Sequence, residues 1–570
     1  MDDKVLEPLK YYDKQGEQEH SDNTTSYLQG LIDRSGVDVE ANRQTMAAWK
    51  REQETIASLS KTLRKYKRLR GLLIFGIVVG AILALGGILS LGSSARAGII
   101  LLAVGIGAVV GCILLLVKKV KPVIKGTDQI RQQHVEAALK LENEGWAQMS
   151  GLNDLFSDDD CVRLIEKTLP DFSFHRNFTV EQEKLFAEKY DFQDVHTEES
   201  TMLDTLSGTY AGNPFLFGRR RTHEMGTHTY TGFLRITWTE TYRDSDGKMR
   251  TRTRSETLHA SLTKPKPYYR IRTFLAFGNQ AAPNLSFSRE AQRTEDLSEK
   301  ALERKIKKGE RKLQKQAQKA IKNGNSFQEM ANTEFDVLFG ATDRDNEMEF
   351  RLMYTPLGQR STVDLLKDKK YYGDDFDFIK KKRCNLIISN HAQSWKMHIC
   401  ANDYKHFDLE EIKARFIKLN QTFFKSVFFD FAPFFSIPAY LEEPCQALES
   451  DATYETAYTS YEHEVMANAL HYSSFVHPDS CTEAILKTKV IKTERQKDLV
   501  AVTAHSYRGI DRLDFVPVFG GDGRLHPVPV HWVEYVPVER TSHILVSVAD
   551  APSEQSPAYY HGLSAGIVHH

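Results

Sequence analysis

Two uninterrupted apolar runs constrain this chain more than any other feature. Gly71 to Gly92 is 22 residues without a charge, and Ala97 to Val117 is another 21. At 1.5 Å per residue each run predicts a helix of about 31–33 Å, matching a hydrocarbon core of roughly 30 Å. Only Ser93, Ser94, Ala95 and Arg96 separate them. A lone arginine at the bilayer centre costs at least about 2.5 kcal/mol, so Arg96 belongs at a membrane surface and the helices turn back on each other. Two buried helices of a soluble core are the alternative, and uninterrupted runs of this length are rare there.

Flanking charge sets the expected orientation. Arg51, Lys61, Arg64, Lys65, Lys67, Arg68 and Arg70 precede the first run; Lys118, Lys119, Lys121, Lys125 and Arg131 follow the second. The turn holds Arg96 alone, so both ends are expected in the cytoplasm and the lipid bilayer is the first expected partner. Each run carries a small-xxx-small pair, Gly76/Gly80 and Gly107/Gly111. Such spacing lets backbones approach closely where lipid offers no hydrophobic drive. Packing inside the hairpin and association between chains are both open uses.

The 570 residues exceed what one core holds, since a single core stops growing at roughly 250–300 residues. A formal net charge of −1 gives no global pull toward nucleic acid, and none is expected as a partner. Six scattered cysteines without a CxxC pair argue against a zinc site or a disulfide scaffold and fit a reducing cytoplasm. The first charge-free apolar run starts only at Gly71, so no signal peptide is expected.

The expected fold class is α+β: a transmembrane helical hairpin with a helical stalk, followed by antiparallel β-rich cytoplasmic domains. In order, we expect a polar arm (1–42), a cytoplasmic helix (43–70), the hairpin (71–117), and stalk and short helices (118–190). A β-rich domain (191–295), a basic amphipathic helix (296–325) and an α+β domain (326–440) follow. A helix with a β-rich C-terminal domain (441–550) and a tail (551–570) end the chain. Thr179 and Gln182 form a capping-box pattern. Ala211-Gly212-Asn213 and Asp244-Ser245-Asp246-Gly247 signal hairpin turns. Within the α+β domain the pattern suggests strands at Glu334–Ala341, Glu347–Thr355, Asn385–Ser389 and Lys396–Cys400, with helices over Ser361–Lys367 and from Asp408 toward Phe424.

Leu297–Lys322 holds ten basic residues against Glu299, Glu303 and Glu310, with an apolar line at Leu302, Ile306, Leu313, Ala317 and Ala320. It reads as a solvated connector or as a helix lying on anionic lipid, with Lys305, Lys308, Lys312 and Lys315 as candidate membrane-surface contacts. Nucleic acid fits less well, because no aromatic residues are interleaved. A phenylalanine cluster follows the α+β pattern. Its members Phe428, Phe429, Phe431, Phe434 and Phe435 suit core packing or, as a sharper alternative, an interface between domains or subunits.

Catalytic patterns fail on inspection. Gly520-Gly521-Asp522-Gly523 is similar to the GGDG loop of lipid and NAD kinases, but Arg524 stands where that loop has Thr, and the segment after it is strand-like. A hairpin turn is the expectation. His463-Glu464 lacks the second histidine of a zincin, since Ala467 occupies that place. No catalytic, cofactor-binding or metal-ligating residue is therefore assigned.

The chain resembles an uncharacterised bacterial family of two-span membrane proteins, a domain of unknown function often encoded near LemA-type proteins. The resemblance rests on the hairpin, on Gly208-Thr209-Tyr210-Ala211-Gly212 with Phe215 and Phe217, and on Glu334-Phe335-Asp336-Val337 with Phe350-Arg351-Leu352-Met353-Tyr354-Thr355-Pro356. It covers about residues 60–430 and implies a bacterial inner membrane, with no established activity. The expected function is a membrane-anchored, self-associating scaffold or assembly protein, with homo-oligomers or other membrane proteins as partners. The alternative is a membrane-bound enzyme or a lipid- or phosphate-binding protein using a pocket in the β-rich domains.

Overall fold

The computed structural model describes residues 6–90, 95–192, 197–243, 245–323, 327–442, 458–494, 497–548, 558–560 and 563–568. The expected turn at Ser93 and Ser94, and Gly324 after the basic helix, lie outside them. The chain divides into two compact units, one of residues 24–157 with 400–419, the other of residues 1–23, 158–399 and 420–570.

The first unit is helical. Helix α1 (Glu17–Ser35) enters it, α2 (Val39–Ser90) runs for 52 residues, and α3 (Ala95–Leu115) leads through a π-turn at Leu116–Val120 into α4 (Lys121–Asn153). Pro122 accounts for the π-turn: it lacks an N–H and its ring crowds the carbonyl four residues back, which a widened turn relieves. Helices α2 and α3 are long and apolar enough to cross a membrane. Beyond the apolar part α2 and α4 continue as a stalk, with His134 Nδ1 2.5 Å from Glu52 and Gln148 donating to Thr45 at 3.0 Å. Asn42 closes its base, donating to the Phe407 carbonyl at 3.0 Å and accepting from the Leu409 amide at 3.2 Å.

The polar arm expected over 1–42 is corrected by this arrangement. Leu28, Leu31 and Ile32, spaced three and one apart, are buried on one face of α1. Gln18–Asp22 and Gln29–Asp33 hydrogen bonds at i,i+4 support its polar face.

The second unit contains two antiparallel sheets. Strands β1 (Phe172–His175), β2 (Ser200–Tyr210), β3 (Asn213–Arg243), β4 (Met249–Gly278), β5 (Ser286–Arg289), β6 (Phe376–Lys381) and β7 (Cys384–Ser389) form one, in the order β1-β2-β3-β4-β7-β6-β5. Strands β8 (Ile485–Glu494), β9 (Lys497–Phe519), β10 (Leu525–Val548), β11 (Ala558–Tyr560) and β12 (Leu563–Val568) form the other, in the order β11-β12-β10-β9-β8. The last residues, expected as a tail, thus supply two strands. Leu563 and Ala565 are fully buried, and this burial fixes them.

Both sheets extend a two-stranded ribbon. Among the described residues, β3 beyond Thr222 pairs with β4 alone, and from Ser506 to Ser542 β9 and β10 pair only with each other. The ribbons stack through Ile236, Leu258, Ala260, Val528 and Val530. A Cβ at Gly232 would collide with the Pro529 carbonyl, so glycine sets this close approach.

Helices α5 (Asp160–Thr168) and α6 (Val180–Tyr190), the latter with the Thr179–Gln182 capping box in place, precede the first sheet. Then come α7 (Glu299–Asn323), α8 (Thr333–Phe339), α9 (Glu347–Met353), α10 (Pro356–Lys367), α11 (Leu409–Phe435) and α12 (Ser460–Ala469). Helices α8 and α9 replace strands expected at Glu334–Ala341 and Glu347–Thr355. Asn332 and Asn346 cap them by accepting the Phe335 and Glu349 amides, each at 3.1 Å. Lys396–Cys400, also expected as a strand, forms no regular element.

Candidate functional site

The glycines of the apolar hairpin fall into two groups. A Cβ at Gly105 would lie 2.6 Å from the Ala84 nitrogen and 2.7 Å from the Gly80 carbonyl; one at Gly87 would lie 2.7 Å from the Leu102 nitrogen. A Cβ at Gly80 would meet Val109 and the Gly105 carbonyl, and one at Gly76 would lie 3.1 Å from the Cys112 sulfur. Gly76 and Gly80 therefore belong to the internal seam. Gly107 and Gly111 meet nothing within 4 Å, so this pair faces away from the partner helix.

The phenylalanine cluster is core, which corrects its candidacy as a subunit interface. Phe428, Phe429, Phe431, Phe434 and Phe435 are all at most 4% exposed. Phe431 packs edge-on to Phe172, Phe215 and Phe277 of the first sheet. Phe428 and Phe429 enclose Tyr12 with ring centroids at 5.0 and 4.9 Å. These five rings project to more than one side of the helix and need two surfaces to cover them; the sheet and Tyr12 supply these.

Helix α7 presents the most charged concavity of the second unit. Its apolar line turns inward: Leu313 and Ala320 are buried with Phe327, and Ala317 and Val337 pack beside them. Gly309 lets α7 press against Val337 of α8, where any Cβ would clash. A groove of about 840 Å³ runs along this junction, lined by Arg304, Lys308, Arg311, Lys312 and Lys315 on one side and by Val337, Gly340 and Thr342 on the other. Lys308, Lys312 and Lys315 are exposed. Lys305 departs from its expected role: it is half-buried, its ammonium donates to the Gln292 carbonyl at 3.3 Å, and burial lowers its pKa. Sequence reasoning found the charge of α7 but not the groove, because α8 was expected as a strand.

Several polar clusters look catalytic in composition but are sealed. Helix α12 lies between the sheets with Glu462, His463 and Glu464 each at most 1% exposed. Glu462 accepts from the Phe178 amide at 2.9 Å and the Thr205 hydroxyl at 3.0 Å. His463 Nε2 lies 3.0 Å from Asp498, and Glu464 accepts from the Met202 amide at 2.8 Å. His391 sits between Asp375 at 2.9 Å and Asp430 at 3.3 Å, stacked 3.9 Å from the Tyr372 ring. Burial works to lower its pKa, but the two carboxylates outweigh it and hold the imidazole above its ordinary range. Ser389 bonds to Asp430 rather than to the imidazole, so no nucleophile–base pair is formed. Among the described residues no group of three or more His, Cys, Asp or Glu converges to hold a metal.

The GGDG segment is a hairpin turn between β9 and β10. Gly520 donates to the Arg524 carbonyl and Gly523 to the Gly520 carbonyl, each at 2.9 Å, and Gly523 has φ +76°. The Gly521 amide is taken by Glu256 at 2.7 Å. A carboxylate already stands where a phosphate would have to approach.

No family model, curated protein or solved structure matches this chain.

Proposed function

We propose that this chain is a membrane-anchored, self-associating scaffold or assembly protein of a bacterial cytoplasmic membrane, with its β-rich unit in the cytoplasm. The observation that carries the reading is the pair of apolar helices continuous with the stalk. Only 11% of each apolar window is buried, and Leu72, Phe75, Ile82 and Ile100 are more than 60% exposed. Apolar area of that extent requires a lipid or protein partner. The basic residues flanking both helices support a cytoplasmic stalk, by the bias of such residues toward that side of a membrane.

Self-association is supported by the outward pair Gly107 and Gly111 and by a second apolar surface. Leu513, Phe515, Phe519 and Leu525 on the outer face of the β9–β10 ribbon are 44%, 61%, 70% and 56% exposed. The experiment is size measurement of the full chain in mild detergent. We expect a discrete oligomer that Gly107→Leu/Gly111→Leu dissociates toward monomer, because bulky side chains prevent close helix approach. A monodisperse monomer for the parent across micromolar concentrations contradicts self-association.

A further inference from the structure

We propose that the groove between α7 and α8 is a binding site for a phosphate-bearing polyanion, presented either as a lipid headgroup or as a soluble phosphate compound. The inference does not depend on self-association. Its first support is uncompensated charge. Arg304, Lys308, the adjacent Arg311 and Lys312, and Lys315 recur every three to four residues, which sets them along one side of the helix over about 16 Å. Among the described residues none of the five has a carboxylate within ion-pair distance. Like charges at these spacings repel, and a bound anion relieves that repulsion.

The second support is the shape and lining of the groove. The one acidic residue in its lining, Asp336, is buried and already neutralised, ion-paired with Arg344 and accepting from the Met330 amide at 2.9 Å. Lys305 anchors the floor through Gln292, whose side-chain amide donates to the Leu338 carbonyl at 3.1 Å. The exposed lysines thus flank a preformed concavity rather than a flat face. Lysine ammoniums serve as point-charge phosphate ligands, so a chain of linked phosphates can engage several of them at once. The apolar line of α7 is consumed by Phe327 and Val337, so the helix does not lie apolar side down in lipid. Any lipid would be held by its headgroup.

The test is calorimetric titration of the detergent-purified full chain with inorganic tripolyphosphate and, separately, with dioctanoyl phosphatidylglycerol. Saturable binding of tripolyphosphate alone identifies a soluble source; tighter binding of the short-chain lipid identifies a headgroup. Lys308→Gln/Lys312→Gln/Lys315→Gln is expected to weaken binding by at least about tenfold, since each lost contact is a charge-assisted hydrogen bond. Lys319→Gln/Lys322→Gln, on the same helix outside the groove, is expected to stay within about twofold of the parent. Binding by the parent should also weaken steeply as salt rises from roughly 50 to 500 mM. The proposal is overturned if neither probe saturates, if the triple variant binds like the parent, if the control variant loses as much, or if salt has no effect.

Discussion

At the residue scale the most informative position is Glu462. Three ionisable residues in succession on a buried helix are costly unless each finds partners, and α12 directs Glu462 and Glu464 to β2 and His463 to β9. Burial pushes the Glu462 carboxyl from 4.5 up to about 7, while hydrogen bonds from Phe178 and Thr205 oppose the rise. Its neighbour Asp204 is pushed up to about 8, again chiefly by burial, with Arg219 opposing and Glu462 adding to the rise. The folded state therefore holds these protons more tightly than the unfolded chain. Stability is full below the unfolded carboxylate range, falls as pH rises, and has lost the Glu462 contribution above about pH 7. That contribution is on the order of 3 kcal/mol. Glu462→Gln, which stays neutral, should match the parent near pH 4 and exceed it by roughly this amount near pH 8.5 in denaturant unfolding. An equal loss at both pH values would show that burial does not set the protonation of this site.

At the element scale the two ribbons are the main departure from ordinary β structure, since strands usually run 3–10 residues and β3 has 31. They survive as two-stranded elements because they stack, with Lys264 placed 3.1 Å from Asp514 and over the Trp532 ring. Gly232→Val should force the ribbons apart at Pro529, costing roughly 1–3 kcal/mol by overpacking. A red shift in tryptophan emission from Trp238 and Trp532 would report it; unchanged emission and melting would show that the ribbons part without cost. The turns at 211–213, 245–247 and 520–523 were legible because glycine at positive φ marks them. Strand length was not. Arg508, Gly509, Asp511 and Arg512 break the apolar alternation, yet both faces of a ribbon can be solvated, and its edges accept Pro517, Pro527 and Pro529. Helices α8 and α9 were missed for the opposite reason. Their aromatic residues look strand-like, and the asparagine caps before them carried the decisive signal.

At the scale of the whole molecule, domain limits were the least legible property. The compact units interleave along the chain, so residues 1–23 and 420–570 join 158–399, and no change in composition marks such returns. The apolar runs, by contrast, are a local property and translate directly into α2 and α3. The charge of α7 was equally local, whereas its groove needs Gly309 against Val337, residues 28 positions apart.

The central claim is that α2 and α3 anchor the chain as a hairpin with the β-rich unit inside the cell. It is tested most directly by single cysteines at Ser94 and at exposed Asp479, introduced in a cysteine-free background and probed with a membrane-impermeant maleimide on intact cells. The account predicts labelling at Ser94, and labelling at Asp479 only after permeabilisation. Labelling at Asp479 on intact cells with Ser94 protected would contradict it.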